Sequence, residues 1–490
     1  MNFKTITPEA GGIPSSAVEN YLKMLDEARL STHEIIIARG DNILFEKYYP
    51  PFTKDFLHRE YSQTKSLVAI AVGFALGDGL LSLDDKIGKF FPDETKDIPD
   101  PRMAEQTVRQ MLMMSTPKSG RYWFSERSDD RVRNYFETTK VAAPLGSCFQ
   151  YDSTGSFILC AMVERLTGKK FIEYLREKLF DRIGVSKGIK CLDCPGGHSW
   201  GDSAALATAE DMLRICRFML DGGKADGEQL IDPNFVSDAV SSIISNRNDG
   251  EPSSYCTQGY GYLIWKLYGE GFFFNGMGCQ LSLAIPEKDI ILIYNGDNQG
   301  IDTAKETIID GFYEFIVKSA GDALPEDKKA LTSLKEYSDT LKLMAARGEK
   351  YSRIEADVGD KQYILLENPM GISSMKLNFG ETIELSYKNA QGDKLLRLGR
   401  CENIFGLFPE EGYSREIGSV SCPENYYRSA SSAAWQDENT LLIDVQVIDE
   451  YFGRLWITLH FDGNKIFVEM KKVAEDFFTT YQGNAIGEIQ

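Results

Sequence analysis

Apolar and polar positions follow two different patterns along this chain. Up to about residue 320, long apolar stretches sit at helical spacing or in strand-length runs. The pattern predicts a helix over residues 15 to about 28, then the hairpin Ile35-Ile36-Ile37-Ala38-Arg39-Gly40-Asp41-Asn42-Ile43-Leu44-Phe45-Glu46. The run Leu67-Val68-Ala69-Ile70-Ala71-Val72 predicts a helix from residue 62 to about 80, closed by the turn at Gly77-Asp78-Gly79. Residues from about 80 to 250 read as largely helical with long loops. The aromatic strand Phe272-Phe273-Phe274 then enters a glycine-containing bend. Two further runs, Leu281-Ser282-Leu283-Ala284-Ile285 and Ile290-Ile291-Leu292-Ile293-Tyr294, form an apolar hairpin, and a helix near residues 303–319 completes the sheet and its cover.

The pattern changes around residues 320–327, where a charged helix is predicted to about residue 347. From Tyr363 onward short alternating runs dominate, among them Thr440-Leu441-Leu442-Ile443-Asp444-Val445-Gln446-Val447 and Leu455-Trp456-Ile457-Thr458-Leu459-His460-Phe461. Asp462-Gly463-Asn464 is a strong hairpin signal before Lys465-Ile466-Phe467-Val468. The expected organisation is α+β: residues 1–320 form an antiparallel sheet covered by helices with a mainly helical insert. Residues 321–349 are a helical linker, and residues 350–490 an all-β sandwich or small barrel. Trp435, Tyr451, Phe452 and Trp456 are expected in the core of that second domain.

Composition narrows the function classes. The 490 residues are 42% hydrophobic and 26% charged, ordinary globular usage for two domains. A net charge of -19 and the lack of a basic patch exclude a nucleic-acid surface. No run approaches membrane-spanning length, so no membrane partner is expected and the cytoplasm is the default location. Nine cysteines, an odd number, fit a reducing compartment better than a disulfide framework. Cys191-Leu192-Asp193-Cys194 with nearby His198 has metal-ligand spacing, but it is a lone pair of thiols followed by the loop Pro195-Gly196-Gly197. No metal or cofactor is expected. The four histidines, His33, His58, His198 and His460, lie in no recognisable triad context.

Ser62-Gln63-Thr64-Lys65 carries the candidate chemistry. A serine three residues ahead of a lysine at a helix start shares one face with it, so an amine can sit beside the hydroxyl. Ser115-Thr116-Pro117-Lys118 and Ser373-Ser374-Met375-Lys376 have the same spacing. Pro117 would disrupt a helix there, and Ser373 lies among strand-like runs. Two further segments add polar groups. Tyr151-Asp152-Ser153, ahead of an apolar helix, can present a phenol and a hydroxyl from one loop; the structural alternative is a capped helix with a packed tyrosine. Asn275-Gly276-Met277-Gly278-Cys279-Gln280 is a bend whose backbone N–H groups could hold an oxyanion; the alternative is a tight hairpin. Trp265, Tyr122 and Trp123 are candidate pocket-lining aromatics.

In this order and at these distances, the three segments resemble the serine β-lactamase-like superfamily, in particular its class C branch with esterases, D-amino-acid peptidases and penicillin-binding proteins. Gly11-Gly12-Ile13-Pro14, Val108-Arg109-Gln110-Met111-Leu112 and Gly259-Tyr260-Gly261-Tyr262 support it, and it spans roughly residues 1–320. The resemblance implies a β-lactamase/transpeptidase-like domain in which Ser62 is acylated, Lys65 accepts its proton or activates it electrostatically, and Tyr151 shares protons with Lys65 and the leaving group. Such a lysine needs burial or a neighbouring cation to act as a base. The N–H of Ser62 and one from Gly278-Cys279 would form the oxyanion hole.

Two departures from the family pattern stand out. Ser153 replaces the asparagine of Tyr-x-Asn. Gly276-Met277-Gly278 replaces Lys-Thr-Gly and removes the cation that commonly holds a β-lactam carboxylate. The expected function is therefore metal-independent hydrolysis, through an acyl-enzyme, of a small ester or amide, with a D-amino-acid peptide as one such substrate. The alternatives are a penicillin-binding protein or weak β-lactamase, and an inactive ligand-binding or sensing member. The expected partner is a small-molecule ester, amide or peptide, and a homo-oligomer is compatible with the sequence. The second domain has three candidate roles: covering the site, binding extended substrate or mediating dimerisation.

Overall fold

The computed structural model describes residues 1–119, 130–248 and 250–490. It divides into two compact units: Met1–Gly296 with Thr303–Leu341 and Arg415–Val420, and Asp297–Asp302 with Lys342–Ser414 and Ser421–Gln490. Among the described residues, no helix is long and apolar enough to cross a membrane.

The first unit is built on one sheet. Among its described residues seven strands lie in the order Lys4–Thr5, Asn42–Tyr48, Thr32–Arg39, Ile290–Gly296, Leu281–Ile285, Phe272–Asn275 and Trp265–Lys266. The outermost pair, Lys4–Thr5 with Asn42–Tyr48, is parallel and the rest are antiparallel. Ile35, Ile36 and Ile37 on one central strand and Ile290 to Ile293 on its neighbour are all buried. Consecutive buried residues point to opposite faces, so both faces of the sheet must be covered. The helix Ala209–Leu220 packs on three of the strands, with the capping box of Thr208 and Asp211 satisfying its first N–H groups. The helix Ser15–Glu27 packs with Ala304–Gly311, the π-helical turn Phe312–Val317 and Lys328–Thr340. It turns inward Val18, Tyr21, Leu22 and Leu25, at helical spacing. Ser15 anchors its start through two bonds to the Glu9 carboxylate, 2.8 and 3.0 Å.

The insert is a helical lobe in which Thr64–Gly77 packs against Ser153–Thr167. Both are apolar around most of their circumference and correspondingly buried. Three expectations shift here. The helix expected from residue 62 begins at Thr64, with Ser62 in the 3₁₀ turn Tyr61–Gln63. The helix expected over 303–319 widens into the π turn at Phe312. The charged helix ends at Thr340, because Leu341 is extended.

The second unit is a barrel. Among its described residues ten strands follow one another from Gly392–Arg400 round to Ile404–Tyr413. The parallel pairing of Gly399 and Arg400 with Ser432 and Ala433 closes the sheet on itself, which decides between the barrel and the sandwich. Leu441, Ile443 and Val445 alternate inward opposite Leu459, Ile457 and Leu455 of the next strand. Trp435, Tyr451 and Phe452 are buried and Trp456 partly so. Gly463, at φ 58°, turns the hairpin that pairs Asp462 with Lys465.

Because Ile36 is fully buried at the centre of the first sheet, Ile36→Ala should destabilise that unit by about 2–5 kcal/mol. A urea titration should show its transition moving to lower denaturant.

Candidate active site

The chain enters the site on the strand His58–Arg59, paired with Ala205–Ala207. It then turns sharply at Tyr61, whose φ of 44° is left-handed and strained for an aromatic residue. Packing holds this conformation. The Arg59 guanidinium lies 5.0 Å from the Tyr61 ring centroid and 4.6 Å from that of Trp200, and Arg59 Nε donates to the Ser203 carbonyl. The turn delivers Ser62 half-buried at the helix entrance. One turn on, the buried Lys65 donates from Nζ to Ser62 Oγ at 2.9 Å and to the Asp202 carbonyl at 2.5 Å. Thr64 and Ser66 tie the same turn to its surroundings. Thr64 Oγ1 accepts from the Ala205 N–H, and Ser66 Oγ donates to the Leu263 carbonyl.

Two buried ion pairs fix what surrounds Lys65. Asp202, whose carbonyl accepts from Lys65, is held by Arg131 through bonds of 2.7 and 3.1 Å. Burial opposes the Arg131 charge, but Asp202 outweighs it and keeps the pKa above the ordinary guanidinium value. Asp152, next to Tyr151, pairs with Lys118, which also donates to Tyr135. Burial works against the Lys118 ammonium as well, and Asp152 with Tyr135 more than compensates. Asp152 is the N-cap residue of Ser153–Thr167 and makes no side-chain cap bond, because its carboxylate is turned to Lys118. The Lys65 nitrogen lies 5.3 Å from the centroid of the Tyr151 ring, which stacks on Trp265 at 5.7 Å. Phe149, Tyr260 and Phe273 surround Trp265 and complete an aromatic wall.

The glycine bend lies directly against the Ser62 turn. A Cβ at Gly276 would fall 2.8 Å from the Glu60 carbonyl oxygen and 2.6 Å from Gln280 Oε1. No side chain fits there without moving backbone, which gives a steric reason for the absent lysine. Gly278 donates its N–H to Gln280 Oε1, and Gln280 Nε2 donates to the Gly296 carbonyl, so the bend is braced from inside. Cys279 follows, buried, at φ 70°. A second brace crosses the site: Ser282 Oγ, on the strand leaving the bend, donates to Gln63 Oε1 at 2.6 Å.

The fold thus brings Ser62, Lys65 and Tyr151 together and seats Gly276 on the turn before Ser62. Ser153 begins its helix half-buried, and its carbonyl accepts from Ser156 Oγ. Lys118 and Lys376, from the two rival serine–lysine spacings, are engaged elsewhere, with Asp152 and Asp360. His33 and His58 bond to each other at 3.0 Å, His198 bonds to Glu164, and His460 to Thr440. Burial lowers the His58 pKa to about 3. Cys191 and Cys194 are free thiols, and burial raises both. Among the described residues no cluster of histidine, cysteine or carboxylate side chains is suited to a metal ion. Tyr122 and Trp123 lie outside the described residues. Sequence reasoning met Gln63 and Lys118 only inside serine–lysine spacings and gave them no role, and it did not single out Arg131 or Asp202. Arg131, at the start of the helix Arg131–Thr138, and Asp202, in a turn, carry no local signal of their place in the site.

A beta-lactamase family model matches residues 18–303 of the chain. The 6-aminohexanoate-dimer hydrolase of Paenarthrobacter ureafaciens is 23% identical over 263 residues, which cover 50% of this chain and 67% of that protein. A Bacillus anthracis structure assigned as a 6-aminohexanoate-dimer hydrolase superposes with a TM-score of 0.55 at 16% identity, over 66% of this chain and 89% of its own. A penicillin-binding protein homologue from Caulobacter crescentus superposes with a TM-score of 0.50 at 17% identity, over 62% and 99%. Both superpositions show the shared fold.

Gly276→Ala should push the bend off the Glu60 carbonyl. The labelling of Ser62 by a fluorophosphonate, followed by intact mass, should then slow by about 10- to 100-fold.

Proposed function

The chain belongs to the beta-lactamase family, a family of serine hydrolases, and on that premise we propose that it cleaves a small amide or ester through an acyl-enzyme on Ser62. The observation that carries this reading is the 2.9 Å contact of Ser62 Oγ with Lys65 Nζ, on a lysine buried beside the Tyr151 ring. Ser62 Oγ bonds to the substrate carbonyl carbon as its proton passes to Lys65 Nζ. The N–H groups of Ser62 and Cys279 receive the negative charge that develops on the carbonyl oxygen. The bond to the leaving group then breaks, and the leaving group takes its proton by way of Tyr151. A water molecule, giving up its proton along the reverse path, attacks the acyl carbon, releases the acid and restores Ser62.

Two observations favour a linear amide over a β-lactam. A curated relative is a 6-aminohexanoate-dimer hydrolase, and the close approach at Gly276 leaves no space there for the lysine that commonly anchors a β-lactam carboxylate. Ser153 stands where an asparagine would meet the substrate carbonyl, and Met277, about half exposed on the bend, adds an apolar contact for an acyl chain. A D-amino-acid peptide is the second amide class to test. The nine cysteines, none of them in a disulfide among the described residues, suit a reducing compartment, and we place the enzyme in the cytoplasm.

The test is intact mass after incubation with a fluorophosphonate, with the adduct mapped by peptide sequencing. A single adduct on Ser62 is expected, absent from Ser62→Ala. On any amide or ester turned over by the parent, Ser62→Ala should lose at least about 10,000-fold in kcat. Full turnover by that variant would refute the assignment. Stable acylation by a penicillin without turnover would move it to the penicillin-binding class.

A further inference from the structure

Beneath the nucleophile turn lies a polar cluster that the mechanism above does not use. Gln63 Nε2 donates to Glu60 Oε2 at 2.5 Å, while Gln63 Oε1 accepts from Ser282. Asn295 Nδ2 donates to Glu34 Oε2 at 2.9 Å and to Glu60 Oε1 at 3.5 Å. Glu34, Glu60, Gln63, Ser282 and Asn295 are all fully buried. One amide therefore bridges two carboxyl groups in the core, and among the described residues neither carboxyl has a cationic partner. Glu34 Oε1 and Asn295 Oδ1 are buried with no hydrogen-bond partner.

Two carboxylates cannot both hold charge in such a place. Burying an unpaired charge is costly, and their mutual repulsion adds to the cost. A proton on Glu34 Oε1 would also turn that orphan oxygen into an O–H donor. The neutral state has a mechanistic consequence as well. Glu60 is two residues from Ser62, and a full negative charge there would oppose the oxyanion that forms on the Ser62 N–H.

We propose that Glu60, held as a neutral acid across the Asn295 amide from Glu34, is the positioning residue that sets the Ser62 turn against the glycine bend through Gln63. This rests on Ser62 being the nucleophile. The groups facing the pair are Asn295 and Gln63 at its centre, Asp211 towards Glu60, and Tyr48 towards Glu34. None of them is a cation. Burial pushes the Glu34 carboxyl up to about 8, and burial followed by Glu34 raises Glu60 well above the carboxylate range. The folded protein keeps these protons while the unfolded chain has lost them. Stability from the pair is thus full below the ordinary glutamate value and falls as pH rises towards about 8. Ser62 reactivity should fall once the folded pair itself ionises.

The experiment measures the fluorophosphonate labelling rate of Ser62, together with the thermal midpoint, across the neutral to alkaline range. It uses the parent, Glu60→Gln and Glu34→Gln. The ratio of the rate at about pH 9.5 to that at about pH 7 should be at least about threefold lower in the parent than in either amide variant. The parent's midpoint should also fall more steeply between about pH 5 and pH 8 than that of Glu34→Gln. If one variant fails to fold, the other carries the comparison. A parent whose labelling does not decline above about pH 8, or that runs parallel to both variants, overturns the role of Glu60 and leaves Ser62 as the nucleophile. A parent that is never labelled removes the nucleophile assignment and this role with it.

Discussion

The candidate site is organised around a lysine side chain taken out of water. Lys65 is buried, and a buried amine needs acceptors on the protein. Ser62 Oγ and the Asp202 carbonyl supply them. Each acceptor in turn must be held. Ser62 sits on a strained turn clamped by Arg59, and Asp202 on a loop fixed by Arg131. Arg131 and Lys118 are themselves buried cations, so each brings its own carboxylate, Asp202 or Asp152. Breaking either pair would leave an uncompensated charge in the core, which makes these residues far less replaceable than exposed ion pairs such as Lys169–Glu177.

A second constraint is distance. In the proposed mechanism the glycine bend must approach the Ser62 turn closely enough for N–H groups from both to reach one oxygen. Gly276 permits this by having no Cβ to meet the Glu60 carbonyl, and Gln63 fastens the two parts through Ser282. The same approach removes space for a lysine on the bend. In the proposed mechanism, one packing decision therefore links the geometry of the oxyanion site to the choice of substrate.

Polar groups were harder to read than apolar ones. The strands near residues 35 and 290 were legible because apolar runs of strand length have one economical solution, burial between helices. The barrel strands were legible from their period-two alternation and the hairpin at Asp462-Gly463-Asn464. Closure of the barrel was not, because it depends on two backbone pairings between Gly399-Arg400 and Ser432-Ala433 that leave no mark on side-chain pattern. The start of the nucleophile helix was displaced for a related reason. Tyr61 adopts a left-handed φ that its own preferences oppose, and its packing under Arg59 helps to sustain it.

The local order of residues by itself determined that a serine and a lysine one turn apart open an apolar helix, that a tyrosine and a glycine bend follow at family-like distances, and that an all-β unit comes last. These are short-range or periodic signals, written in neighbouring positions. Tertiary structure alone decided that Asp202 and Arg131 would hold Lys65, that Lys118 would turn Asp152 away from its helix cap, and that Glu34, Glu60 and Asn295 would meet beneath Ser62. Those contacts join residues tens to hundreds of positions apart. Their energies come from burial and mutual electrostatics, which exist only once the chain has excluded water from between them.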